Sequence, residues 1–77
     1  MAHNTENSNV GTTYEVRVYD YDAALDGDGY YVCARERTSS LQAARLSLLY
    51  FKQAERYTGG AIWHDGQVVD GFGLIPE

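Results

Sequence analysis

Apolar and polar positions change period along this chain, and the change divides it into elements. From Thr12 to Tyr21, Tyr14, Val16 and Val18 alternate with Thr13, Glu15, Arg17 and Tyr19. A period of two predicts a half-buried strand, with Val16 and Val18 facing inward. A second strand is predicted over Tyr30–Arg37, with Tyr30, Val32 and Ala34 on one side and Tyr31, Cys33 and Arg35 on the other. Between them, Asp20–Gly29 interleaves aspartates with Gly27 and Gly29, which signals a turn. Strands that follow one another across such a loop are expected to pair antiparallel. The loop is longer than a tight hairpin requires.

The period lengthens between Thr38 and Gly60. This stretch is the only one long enough for a substantial helix, and its interior holds no Gly or Pro. Ser39 or Ser40 can cap its first free amides, and Ser39 with Gln42 has capping-box spacing. Arg56 suits the negative end of the dipole, and Gly59 and Gly60 are expected to supply the left-handed stop. At about 100° per residue, Leu41, Ala44, Leu48 and Phe51 share one stripe, read as the core face. Leu46, Tyr50, Ala54 and Tyr57, with Ala43, form a second stripe nearly opposite. One layer of sheet covers only one of the two.

A two-residue period returns after the helix. Ala61–His64 and Gln67–Asp70 flank Asp65-Gly66, a two-residue hairpin turn. That turn pairs His64 with Gln67, Trp63 with Val68 and Ile62 with Val69, and Ile62 and Val69 are placed inward. Gly71 and Gly73 predict a bulge or bend. Phe72, Leu74 and Ile75 are expected to cover the core edge, with Pro76 ending the pairing. The fold class is α+β: a four-stranded antiparallel sheet with one helix on one face, in the order β-β-α-β-β. Residues 1–11 are polar and read as a disordered leader, and residues 12–77 as a single domain. The sheet face away from the helix is expected to carry Glu15, Arg17, Tyr19, Tyr31 and Arg35, with Trp63 a further candidate, read as cross-strand pairs rather than as an RNA-binding surface.

Composition narrows the function. A chain of 77 residues builds one small core, and its hydrophobic fraction of 44% suffices for a globule. Cys33 is the single cysteine, so no intrachain disulfide forms. Met1–Gly11 lacks the apolar centre of a signal peptide, and no run approaches the length of a membrane span. The expected compartment is the cytoplasm. Net charge is −5, and Asp20, Asp22, Asp26 and Asp28 contribute four of those charges within nine residues. With one lysine, Lys52, and five arginines, direct nucleic-acid binding is disfavoured.

The candidate chemistry is sparse. Calcium-loop spacing places Ala24 at the third ligand position in one register and at the first in the other, so both fail. His3, Cys33 and His64 have no paired zinc spacing. Cys33 lies mid-strand and His64 at a hairpin tip, where packing and turn roles suffice. No phosphate-binding glycine loop precedes the helix. The chain is read as non-enzymatic, with no cofactor and no metal. The residues expected to meet a protein partner are Asp20, Asp22, Asp26 and Asp28 in the loop and Leu46, Tyr50 and Tyr57 on the second stripe. The stripe would serve a partner or a homodimer.

Tyr14-Glu15-Val16 with Val18, Ala34-Arg35, Ala43-Ala44 and Ile75-Pro76-Glu77 resemble the very small phage-encoded anti-CRISPR proteins, in particular an inhibitor of type I-F systems. This chain departs from them by its longer acidic loop over Asp22–Asp28. The resemblance implies a protein that binds a CRISPR effector complex or its nuclease in the host cytoplasm and blocks DNA targeting, with no catalytic residues. Tyr14-x-Val16, Asp28-Gly29-Tyr30-Tyr31-Val32 and Leu41 with Ala44 also resemble HicB-type antitoxins, but Cys33–Ser40 stands where that family has a segment containing Pro and Gly. The alternative is therefore an antitoxin-like or other small protein-interaction module.

Overall fold

In the computed structural model, which describes residues 13–76, β1 (Tyr14–Tyr21) and β2 (Tyr30–Thr38) form a hairpin. Helix α1 (Leu41–Ala54) leads to a second hairpin of β3 (Gly59–His64) and β4 (Gln67–Gly73). The four strands make one antiparallel sheet in the order β2-β1-β3-β4, so the first strands of the two hairpins pair in the middle. This is the α+β architecture that the periodicities predict. The leader expected over residues 1–11 lies outside the described residues.

The helix begins where Ser40, in extended conformation, accepts the Ala43 amide at 3.1 Å. Ser40 rather than Ser39 is the cap, which places Ala43 at the third helical position and leaves Gln42 out of any capping box. The end also comes earlier than expected. Glu55 takes the left-handed turn at φ 56°, and its amide bonds to the Lys52 carbonyl at 3.3 Å. Gly59 and Gly60, expected as the stop, are strand residues instead. Lys52, not Arg56, is the cation in the last turn.

One face of the helix makes the main core. Ala44 and Leu48 are buried against Val16, Val18 and Ile62, with Leu41, Phe51 and Phe72 packed around them. Tyr57 joins this cluster and meets Phe51 edge to face at 5.5 Å between ring centroids. It therefore does not extend the second stripe. The left-handed turn at Glu55 ends the helical period, and a position two residues later follows the new direction of the chain.

Two bulges shift faces that strict alternation assigned. Val18 pairs with Ala34 and Tyr19 with Val32, which leaves Cys33 as an extra residue in β2. Ala34 therefore stays on the core side, while Val32 and Tyr30 share the far face with Tyr19 and Tyr21. Tyr31, opposite Asp20, moves to the helix side. In the second hairpin, Asp65 (φ 53°) and Gly66 (φ 76°) make the expected two-residue turn. The pairs His64–Gln67 and Trp63–Val68 form as expected, but Ile62 meets Asp70, so Val69 is the extra residue. Ile62 is fully buried, whereas Val69 is exposed rather than inward.

The far face is not left open. After Gly73 (φ 66°) the chain turns back, and the Leu74 amide donates to the Thr58 carbonyl at 3.1 Å. A Cβ at Gly59 would collide with the Leu74 backbone, so glycine is what admits this crossing. Ile75 comes to lie against Gly71, and Pro76 stands with Arg17, Tyr19 and Trp63. Beneath them Ala61 is fully buried and Tyr19 nearly so. Phe72 covers the main core as expected; Leu74 is exposed, and Ile75 packs on the opposite side of the sheet.

Two substitutions separate these layers. Ile62→Ala removes a fully buried side chain between helix and sheet and should cost about 2–5 kcal/mol in denaturant unfolding. Gly59→Ala should displace the Leu74–Pro76 crossing. The emission of Trp63, the single tryptophan, should then shift to the red while the far-ultraviolet circular dichroism keeps its shape.

Candidate functional site

The four loop aspartates divide by role. Asp20 is still in β1, and its Oδ1 accepts the Tyr21 amide at 2.9 Å and the Thr58 hydroxyl at 3.4 Å. Asp22 Oδ1 accepts the Ala24 amide and Asp28 Oδ1 the Tyr30 amide, each at 3.0 Å. The Asp22 amide donates to the Gly29 carbonyl at 2.8 Å and closes the loop at its neck. Gly27 and Gly29 take φ of 80° and 84°, which favours glycine. Asp22, Asp26 and Asp28 are exposed, and among the described residues none of the four aspartates has an ion pair. Backbone amides thus hold one oxygen each of Asp20, Asp22 and Asp28, and Asp22, Asp26 and Asp28 stand in solvent. Their field reaches Tyr31, whose phenol is pushed above its ordinary range by desolvation first and by Asp20 and Asp22 as well.

The outer helix surface carries Leu46 at 62% and Tyr50 at 71% exposure, as the second stripe predicts. Leu49, 45% exposed, widens the patch toward β4, where it stands with Arg45, Lys52 and Phe72. It lies between the two helical stripes, so periodicity alone did not select it. Arg45 and Asp70 close this side with an ion pair at 3.4 Å. Both are well exposed, so the pair is worth roughly 0–1 kcal/mol. Of the residues predicted to meet a partner, the fold groups Leu46 with Tyr50 on the helix and keeps the aspartates at the tip of the first hairpin. It removes Tyr57 to the core.

The far sheet face holds a third group, which the sequence reading took as ordinary cross-strand pairing. Register places Glu15 opposite both Arg37 and Trp63, and Arg17 opposite both Arg35 and Ala61. Arg17 lies over the Trp63 ring at 4.8 Å, and Trp63 Nε1 donates to the Tyr19 hydroxyl at 2.7 Å. Glu15 serves two cations, with Oε1 3.3 Å from Arg17 and Oε2 2.9 Å from Arg35 Nε. The second contact is close but not aligned as a hydrogen bond, so Glu15 Oε2 is held by charge alone. Arg17 Nε is buried without a hydrogen-bond partner. The signals in the sequence were Arg35 and Arg37 at alternate positions of one strand, Arg17 on the outward side of another and the single tryptophan in a third.

The Cys33 thiol is not activated. Cys33 donates to the Val18 carbonyl at 3.4 Å, and its thiol is pushed above its ordinary value by desolvation first and then by Asp20. His64 Nδ1 lies 3.0 Å from the Thr13 carbonyl oxygen, and its ring stacks on Tyr14 at 4.7 Å. Cys33 belongs to the edge strand β2 and His64 to the central strand β3. Among the described residues no group of three or more His, Cys, Asp or Glu could hold a metal ion, and no helix is long and apolar enough to cross a membrane. Comparisons with protein-family models, with curated proteins and with solved structures find no match to this chain.

Two outcomes follow from this placement. Leu46→Lys with Tyr50→Lys should leave the circular dichroism spectrum and melting temperature nearly unchanged while weakening self-association or partner binding; unfolding would make the patch part of the core. Cys33 should react with iodoacetamide more slowly at pH 8 than an unstructured cysteine does. Its raised pKa keeps the thiol protonated as pH rises through the ordinary range, and the rate should climb only above it.

Proposed function

We propose that this chain is a non-enzymatic binding protein that inhibits a nucleic-acid-handling complex, of which a CRISPR effector complex or its nuclease is the best-matched kind. The observation that carries this reading is the closed acidic loop. Asp20, Asp22 and Asp28 are fixed by backbone amides, and all four aspartates are left without cations among the described residues. Four like charges gathered in this way repel one another in the free protein. Opposite the Lys and Arg that line a nucleic-acid channel, they become favourable and speed encounter. The resemblance to small anti-CRISPR proteins supplies the particular kind of target. Leu46, Leu49 and Tyr50 offer an apolar contact on a separate part of the surface, for the same target or for a second copy.

Two measurements test the reading. At about 100 mM salt, where a basic binder still holds, the purified protein should not retard DNA or RNA in a gel. Micromolar retardation would remove the argument. Changing Asp20, Asp22, Asp26 and Asp28 to Asn should weaken inhibition of target-DNA binding by more than about tenfold and flatten its dependence on salt. The changes at Asp22, Asp26 and Asp28 should not lower stability, because repulsion is relieved and at positions 22 and 28 an amide oxygen still accepts the turn hydrogen bond. Equal inhibition at low and high salt would reduce the loop to a solvated turn.

A further inference from the structure

Three of the six cationic side chains lie together on the sheet face away from the helix, in a chain whose net charge is −5. Arg17 and Arg35 are direct cross-strand partners, an arrangement that destabilises a sheet unless a counter-charge offsets it. Glu15 supplies one such charge and contacts both. Arg37, opposite Glu15, is the third cation, so this group of four carries +2. Arg17 Nε is already desolvated but has no acceptor. A buried cationic donor left in that state costs more than an exposed one, and the groups open to an incoming acceptor are the exposed guanidiniums of Arg35 and Arg37.

The surroundings define what kind of acceptor fits. Trp63 and Gly66 line two clefts. One, of about 310 Å³, is bordered by Glu15, Arg17 and Arg37, with Asp65 at its rim. The other, of about 630 Å³, is bordered by Val68 and Ile75 and is mostly apolar. Each has room for a side chain. With Asp65 counted the group carries +1, which a single carboxylate matches, whereas an anion of two or more charges exceeds it.

We propose that this face is a second protein-binding site, which takes a segment of a partner protein in which an acidic side chain adjoins an apolar one. The carboxylate sits among Arg17, Arg35 and Arg37, and the apolar side chain enters the cleft beside Trp63, Val68 and Ile75. The site is independent of the acidic loop, since Glu15 and Arg37 lie six strand positions from Tyr21, about 20 Å from the loop neck.

Trp63 is the single tryptophan, so its fluorescence reports binding at this face directly. The probes are capped hexapeptides in which Leu, Phe or Tyr adjoins Asp or Glu, each beside its Asn or Gln counterpart, with inorganic phosphate and ATP as separate arms. Acidic members of the panel should shift Trp63 emission and bind at least about tenfold more tightly than their amide counterparts. Arg37→Gln, an exposed position, should abolish that preference without lowering the melting temperature, while Lys52→Gln on the helix should leave it intact. Four outcomes would overturn the proposal. They are equal binding of acid and amide peptides, no response from any peptide, tighter binding of phosphate or ATP, and a Trp63 shift that depends on protein concentration without peptide. The last would assign the face to a second copy of this chain.

Discussion

The structure depends on β1 being buried on both sides. Val16 and Val18 press against Ala44 and Leu48 of the helix, and on the other side Tyr19 lies under the returning C-terminal segment. A chain of this size has little apolar area to spare, and a sheet covered on one face only would leave much of it in water. Placing the first strands of both hairpins at the centre solves this. Each central strand then has two hydrogen-bonded neighbours, and helix α1 covers both. Ile62 is the counterpart of Val16 in β3, so the central pair of strands and the helix make one interlocked unit.

The same topology puts β2 and β4 at the edges, and each carries a bulge. A bulge interrupts the regular row of backbone donors and acceptors that would invite another strand. Cys33 and Val69 are the extra residues, and both are exposed. At Cys33 the bulge also changes the content of the two faces. Val32 and Tyr30 pass to the far face beside Tyr19, where they extend its apolar floor, and of Tyr30, Val32 and Ala34, expected on one side, only Ala34 stays on the helix side.

Three surfaces result, each with a distinct character. The tip of the first hairpin is acidic and closed by its own hydrogen bonds. The outer helix is apolar at Leu46, Leu49 and Tyr50. The far sheet face is cationic and aromatic, with Glu15 shared between two arginines. Their separation is a consequence of the fold. The first hairpin ends in the acidic turn, while its arginines lie toward the opposite end, beside the turn of the second hairpin. The strongly negative total hides a local excess of positive charge.

Local chemistry is enough to read much of this chain. Alternation at Val16 and Val18, the helical stripe at Leu41, Ala44, Leu48 and Phe51, and the Asp65-Gly66 turn each reflect interactions within a few residues. They therefore predict the order of elements, the α+β class and the exposure of Leu46 and Tyr50. What sequence did not decide depends on contacts between distant segments. The pairing of β1 with β3, the bulges at Cys33 and Val69 and the crossing of Leu74–Pro76 are set by how the two hairpins and the helix fit together. Tyr57 left the exposed stripe because Glu55 turned left-handed first, and its ring found Phe51. Arg17, Arg35, Arg37 and Trp63 were all visible as residues. Only the register between three strands made them neighbours, because a one-residue slip in any strand would have sent its members to the opposite face.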